Sequence, residues 1–187
     1  ESESRGLGDV YKRQVFNEDR SKEFEMRIKG KSYEEITQNG GGINNSVKNL
    51  RESNYDKLKK KVHDRMDIFL RLGTTTIEAK SGYGLTLDSE LKSLEVLDYT
   101  NSNHEIDIIS TFMGAHAIPV EYEKNPEKYV DYLCDVMIPE ISKQGIAKYN
   151  DVFCEHGYFD LKQTKKILQK GLDYGLSLIH ISEPTRL

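Results

Sequence analysis

Residues 74–84, with the sequence TTTIEAKSGYG, decide the fold, because a short β-prone run ends there in small and polar residues. The same order recurs at residues 106–117 and at residues 151–157, and a helix-like segment follows each run. Strand-like runs separated by amphipathic helices are typical of βαβ units and a parallel sheet. The sequence therefore predicts an α/β fold with right-handed crossover connections.

Helix signals separate the strand-like runs. In the segment after residue 84, leucines at 87, 91, 94 and 97 form an apolar stripe that is expected to face the sheet. The charged residues between them, Glu90 included, are predicted on the other side of that helix. The other predicted helices begin near Ser32, between Ser53 and Asp56, at Pro126 and at Asp160.

The chain of 187 residues is one domain's worth. It is shorter than the roughly 250 residues of a closed (β/α)₈ barrel, so either the fold is smaller or the chain is incomplete. Residues 1–14 and 177–187 continue neither the apolar periodicity nor the strand pattern, and both are predicted to be appended, non-native segments. The domain is then expected over residues 15–176.

The composition argues against several classes of protein. A formal net charge of -4, with bases and acids interspersed, predicts no nucleic-acid partner. No apolar run approaches the ~20 residues of a membrane span, and no secretory signal is recognisable, so a cytoplasmic location without membrane association is expected. Cys134 and Cys154 are interpreted as two buried thiols rather than as a disulfide or zinc ligands.

Three side chains at the ends of the strand-like runs are candidates for chemistry. The C-terminal ends of parallel strands converge on one face, so Tyr83, His116 and Glu155 are expected to share a pocket. The His116 imidazole lies in a Gly-Ala-His-Ala turn, where small neighbours let a ligand approach. A histidine bonded within the core and a tyrosine packed in a tight turn remain equally good interpretations.

Four other residues are interpreted as structural or solvated. Arg20 lies in a charge-mixed stretch, although its guanidinium would suit a carboxylate. Lys80 is interpreted as a solubilising lysine at a strand end. His63 and His104 have no partner at ligand spacing in the sequence.

Several longer stretches together carry a more specific signal. They are residues 15–16 with Arg20, residues 30–32 leading to 40–43, residues 74–85, and residues 110–119 with the sequence STFMGAHAIP. In these stretches the chain resembles the imidazolonepropionase family of the amidohydrolase superfamily. The resemblance extends from about residue 15 to about residue 176.

The resemblance implies part of a metal-dependent (β/α)₈ barrel that takes a small-molecule substrate. The family hydrolyses the ring amide of 4-imidazolone-5-propanoate to N-formimino-L-glutamate in histidine breakdown. It implies one metal ion, zinc or iron, and a homodimer of the parent enzyme. Arg20, Tyr83 and His116 match positions that bind substrate in the family.

The chain also departs from the family. A His-x-His metal pair is expected just before residues 15–16, but residues 11–14 read YKRQ. His180 lies near the position of a further metal histidine, but its surroundings are unlike the family's, and we expect this match to be coincidental. The chain therefore resembles an internal fragment, predicted to be inactive alone. Two alternatives stay open: another amidohydrolase such as a deaminase, and a metal-free module that binds a small molecule.

Overall fold

A computed structural model describes residues 28–30 and 43–178 of the chain. The predicted α/β fold is confirmed in this part: four strands form one sheet in the order β1-β2-β3-β4, and every neighbouring pair is parallel. This sequential order is compatible with part of a (β/α)₈ barrel. The strands are β1 Thr76–Lys80, β2 Asp107–Ala115, β3 Tyr149–Val152 and β4 Ser177–Leu178.

Helices precede the sheet and connect its strands. The helices are α1 Ile43–Glu52, α2 Tyr55–Arg71, α3 Leu87–Asn103, α4 Pro126–Tyr132, α5 Ile138–Gln144 and α6 Leu161–Asp173. A 3₁₀ turn at Val120–Tyr122 precedes α4, and a π-helical turn at Leu133–Met137 joins α4 to α5. Among the described helices, none combines the length and apolarity that crossing a bilayer requires.

The two faces of the sheet differ in character. Asn150 of β3 donates a hydrogen bond to the carbonyl of Ile167 on α6, which identifies the face covered by helices. Phe112 pairs with Asn150 in the sheet register and lies on that same face. The opposite face carries Lys80 and Thr111, which are register partners on β1 and β2. In the described fold, the face of the sheet that packs against the helices is thus apolar, and the opposite face is polar.

The long helix α2 begins and ends where the sequence predicts. The Asn54 side chain accepts a hydrogen bond from the Asp56 amide at 2.8 Å, which caps the first turn. Leu58, Val62 and Met66 are buried at helical spacing. Gly73, with φ +92°, follows the helix in a left-handed conformation.

Helix α3 confirms one prediction and corrects another. Leu94 and Leu97 are completely buried, as the apolar stripe predicts. The placement of Glu90 on the side away from the core was wrong, because its side chain is also completely buried. The reason is that the Ser81–Leu85 segment folds back over the first turn of α3 and covers it.

Some predictions fall outside the described residues. These are the short helix beginning at Ser32, Arg20, His180 and the terminal segments 1–14 and 179–187. Ser177 and Leu178, which the sequence pattern assigns to the second appended segment, pair with β3 as strand β4. The domain boundaries at residues 14 and 176 stay predictions.

Candidate functional site

Tyr83 and His116 lie in contact at the C-terminal end of the sheet. Tyr83 follows β1, His116 follows β2, and their ring centroids are 5.0 Å apart in an edge-to-face arrangement. The predicted convergence of these two side chains is confirmed. His116 is half-buried, and Tyr83 is buried.

A backbone hydrogen bond orients the imidazole of His116. Its Nδ1 lies 2.8 Å from the carbonyl oxygen of Gly82. A carbonyl oxygen can only accept, so Nδ1 carries the proton and donates it.

Glycine is required where the turn after β1 approaches β2. Gly82 has φ +102°, and a Cβ atom there would lie 2.4 Å from the backbone oxygen of Met113 and 3.1 Å from the Cβ of His116. Any side chain at residue 82 would therefore separate the two strand ends. The close contact of Tyr83 with His116 depends on this glycine.

Arg51 supports the same turn from helix α1. Its Nε donates to the carbonyl oxygen of Gly84 at 2.7 Å, and its guanidinium forms an ion pair with Glu121. The hydrogen bond from Arg51 is the main reason that the pKa of the Glu121 carboxyl lies below its usual value. The turn that presents Tyr83 is thus tied to the segment after β2.

The end of β3 contributes an aromatic ring beside His116. The Phe153 ring lies 6.1 Å from that of His116, and the Tyr158 ring lies 4.7 Å from that of Phe153. Glu155, which the sequence places in the same pocket, is exposed. It lines a cleft of about 770 Å³ formed with Ile118, residues 154–160 and the first turn of α6. Neither Tyr83 nor His116 lines that cleft, so the prediction that Glu155 shares their pocket was wrong.

The face of the sheet opposite the described helices carries a buried ion pair that the sequence pattern did not reveal. The Lys80 side chain is only 1% exposed, and its Nζ lies 2.6 Å from Asp151 Oδ2 and 3.3 Å from Glu78 Oε1. The hydroxyl of Thr111 donates to Glu78 at 2.6 Å. The interpretation of Lys80 as a solubilising lysine was therefore wrong. The i, i+2 spacing of Glu78 and Lys80 was the available signal.

His63 and His104 both lie beside Asp67, so their interpretation as structural residues holds, although the statement that they have no partner was wrong. His104 Nε2 lies 3.2 Å from Asp67 Oδ1, and His63 Nδ1 lies 3.7 Å from Asp67 Oδ2. Within residues 28–30 and 43–178, these three form the group in which ligand atoms are close enough to hold a metal ion. Among the described residues, this group is therefore the place where the metal implied by the resemblance would have to bind.

The His63, Asp67 and His104 cluster does not fit a metal centre. The Ile106 amide donates to His104 Nδ1 at 3.0 Å, so the proton of the neutral ring lies on Nε2. That nitrogen donates to Asp67 and has no lone pair for a metal. His104 also precedes β2, at the end of the sheet opposite to Tyr83 and His116. The cluster is a hydrogen-bonded link between α2 and the turn before β2.

The sequence closely matches curated enzymes over most of its length. It is 48% identical over 179 residues to the imidazolonepropionase of Brevibacillus brevis, covering 95% of this chain and 42% of that protein. The chain is homologous to imidazolonepropionases. Those of Shouchella clausii and Flavobacterium johnsoniae are each 45% identical to it, over 95% and 90% of this chain and 40% and 41% of their own.

The resemblance stated from the residues is confirmed by these relatives. The chain spans about two fifths of the length of the curated relatives it matches. No protein-family model matches the chain. Of the residues that the resemblance assigns to substrate, Tyr83 and His116 lie together, and Arg20 is outside the described residues.

Proposed function

We propose that the chain forms part of the substrate wall of an enzyme that hydrolyses 4-imidazolone-5-propanoate to N-formimino-L-glutamate in histidine breakdown. The observation that carries the proposal is the contact of Tyr83 with His116 at the C-terminal end of a parallel sheet. This is the end where enzymes of barrel architecture place their reacting groups. The homology to imidazolonepropionases supplies the substrate.

His116 is the proposed donor to the ring carbonyl. Its Nδ1–H is held by the Gly82 carbonyl, so donation to substrate has to come from Nε2. In the imidazolium form, both nitrogens donate, and Nε2 can stabilise the negative charge that develops on the carbonyl oxygen when the ring amide is attacked. The fixed ring orientation reduces the cost of reorganisation at that step.

Tyr83 and Arg20 are the proposed ligands for the rest of the substrate. The phenol of Tyr83 can donate a hydrogen bond to the propionate carboxylate or the ring. The guanidinium of Arg20 can form a bidentate pair with a carboxylate, a role that it takes from the family resemblance alone. Together they would orient the ring carbonyl toward His116.

The proposed reaction carries further implications for the whole enzyme. The family resemblance implies a metal ion, zinc or iron, in the whole enzyme. The described residues do not fit that metal, and the candidate ligand His180 lies outside them. A cytoplasmic location and a homodimer of the whole enzyme belong to the same proposal.

The experiment is a segment replacement in the Brevibacillus brevis imidazolonepropionase. The matched part of that enzyme is exchanged for residues 15–176 of this chain, and loss of imidazolone propionate and formation of formiminoglutamate are measured. The chimera is expected to be active, and Tyr83→Phe and His116→Asn are each expected to lower kcat/KM at least tenfold. This chain alone, with zinc or iron added, is expected to be inactive.

A folded chimera that forms no formiminoglutamate would contradict the proposal. Release of ammonia from a nucleobase by the same chimera would favour a deaminase instead. Tight calorimetric binding of formiminoglutamate by this chain without metal would favour a binding module.

A further inference from the structure

Glu90 is a completely buried acid that the sequence pattern places on the wrong side of α3. Its charged neighbours Asp88 and Glu95 on the same helix are exposed. Burying a carboxylate is costly unless hydrogen bonds replace its hydration. The contacts of Glu90 therefore indicate what its burial achieves.

The carboxylate of Glu90 is bound by a single short segment of the chain. Its Oε2 accepts from the Gly82 amide at 2.7 Å, and its Oε1 accepts from the amides of Gly84 and Leu85, both at 2.9 Å. The Ser81 side chain also hydrogen-bonds to it. These four donors are uncharged, and all lie in the Ser81–Leu85 segment that carries Tyr83.

These hydrogen bonds stabilise a backbone that is otherwise unfavourable. Leu85 has φ +57°, in the left-handed region that non-glycine residues seldom adopt. Gly82 has φ +102°. A Cβ atom on Gly84 would lie 2.2 Å from the Cβ of Ser89, so the segment also fits closely against α3. Strain of this kind persists only where the surroundings over-determine it.

The segment connects Glu90 to both candidate substrate ligands. Glu90 binds the amide of Gly82, and the carbonyl of Gly82 binds Nδ1 of His116. Tyr83 lies between the bound amides of Gly82 and Gly84, with its ring against that of His116. These hydrogen bonds join Glu90 to the backbone and not to the side chains of Tyr83 and His116. They hold the backbone segment that orients both side chains.

We propose that Glu90 is a positioning residue that acts through Gly82 to hold His116 in its Nδ1-protonated tautomer and to fix Tyr83 against it. The kinetic part of this inference rests on the proposed function. The tautomer part does not, because it concerns the ring of His116 in the protein without substrate.

The test is Glu90→Gln, with Glu95→Gln on the exposed side of the same helix as matched control. The amide NH₂ that replaces one carboxylate oxygen would face a backbone N–H donor and break that hydrogen bond. In this chain, ¹⁵N spectra of the histidine rings, assigned with His116→Asn, are recorded where the ring is neutral. We expect a single Nδ1–H tautomer in the unmodified chain and in Glu95→Gln, and a mixture of both tautomers in Glu90→Gln.

The same two substitutions are made in the active chimera. Glu90→Gln is expected to lower kcat about 100-fold, the cost of slight misplacement of a reacting group, with Glu95→Gln unchanged. An unaltered His116 tautomer in folded Glu90→Gln would overturn the proposal. If Glu90→Gln does not fold, Glu90→Asp, whose shorter side chain withdraws the carboxylate from the Gly82 amide, decides: a mixed tautomer supports the proposal, and an unchanged one overturns it.

The spectra and the kinetics separate the two possible failures. A chimera without activity would remove the proposed function but leave the tautomer result intact. An active chimera whose kcat is insensitive to Glu90→Gln would remove the positioning role and leave the proposed function standing.

Discussion

Two separate constraints require glycine at residue 82, and a pair of substitutions can distinguish their effects on stability. Its φ of +102° disfavours any L side chain, and its Cβ position overlaps the Met113 backbone oxygen at 2.4 Å. Gly82→Ala is therefore expected to lower the free energy of unfolding by about 3 kcal/mol, from strain and overlap together. Urea unfolding of the chain measures this.

Gly145→Ala is the matched control for Gly82→Ala. Gly145 has φ +74°, but a Cβ atom added there would meet nothing within 4 Å, so only backbone strain of about 1 kcal/mol is expected. Equal losses for the two variants would show that the contact with β2 contributes nothing.

Lys80 allows a prediction about a buried charge. Lys80→Met removes the cation that pairs with both Glu78 and Asp151, whose side chains are only 23% and 22% exposed. A loss of about 3 kcal/mol in the free energy of unfolding is expected. The double variant Lys80→Met/Asp151→Asn is expected to recover part of that loss.

The exposed pair of Lys166 with Asp131 is the control for Lys80→Met. Its side chains are 49% and 57% exposed, so Lys166→Met is expected to cost less than about 1 kcal/mol. A similar loss at both lysines would contradict the distinction between a buried and a solvated pair.

The buried carboxyl of Glu90 in helix α3 is expected to make the free energy of unfolding depend on pH. Burial raises the pKa of the Glu90 carboxyl, and hydrogen bonds from Ser81, Leu85, Gly84 and Gly82 oppose that shift without cancelling it. The Glu90 carboxyl then keeps its proton to higher pH in the folded chain than in the unfolded chain. The free energy of unfolding is therefore expected to fall as pH rises from about 4, the usual carboxyl value, through the raised pKa.

Urea unfolding across that pH range compares the chain with Glu90→Gln and Glu95→Gln. The stability difference between the chain and Glu90→Gln is expected to shrink as pH rises, whereas Glu95→Gln follows the unmodified chain. A difference that grows with pH would mean that the hydrogen bonds outweigh burial and hold the pKa of Glu90 below its usual value.

The structural features that involve only residues close together in the sequence are the ones that the sequence predicts well. The helix predicted to begin at Asp160 is confirmed as α6, and Asp160 and Gln163 form a capping box at its start. Burial along α6 does not simply follow its apolar residues: Leu161 is 80% exposed, whereas Ile167 and Gly171 are buried. Caps need only four consecutive residues, but burial depends on the surfaces that surround the whole helix.

For the whole molecule, the two thiols are expected to differ in reactivity. The prediction that both are buried holds for Cys134 and was wrong for Cys154, which is exposed after β3. Burial raises the pKa of the Cys134 thiol, so both access and thiolate content are low there. Ellman's reagent is expected to modify one thiol quickly in the native chain and two in denaturant.

Cys154→Ser identifies the fast thiol in that measurement. The variant is expected to show no fast phase, and modification of Cys134 then reports opening of the packed helices. Two fast thiols in the unmodified chain would show that the packing around Cys134 is not stable in solution.

The alternation of strands and helices, the starts of α2, α4 and α6, and the family resemblance could all be deduced from residues 15–176 in order. Helix α1 and the π-helical turn between α4 and α5 were not predicted. Helix caps, glycine turns and apolar periods are local, because each involves residues a few positions apart. Lys80 and Asp151, 71 positions apart, could be paired only once β1, β2 and β3 lay side by side. Glu90 is likewise buried because the Ser81–Leu85 segment folds over it. The helical periodicity of α3 does not indicate which charged residue such a segment will cover.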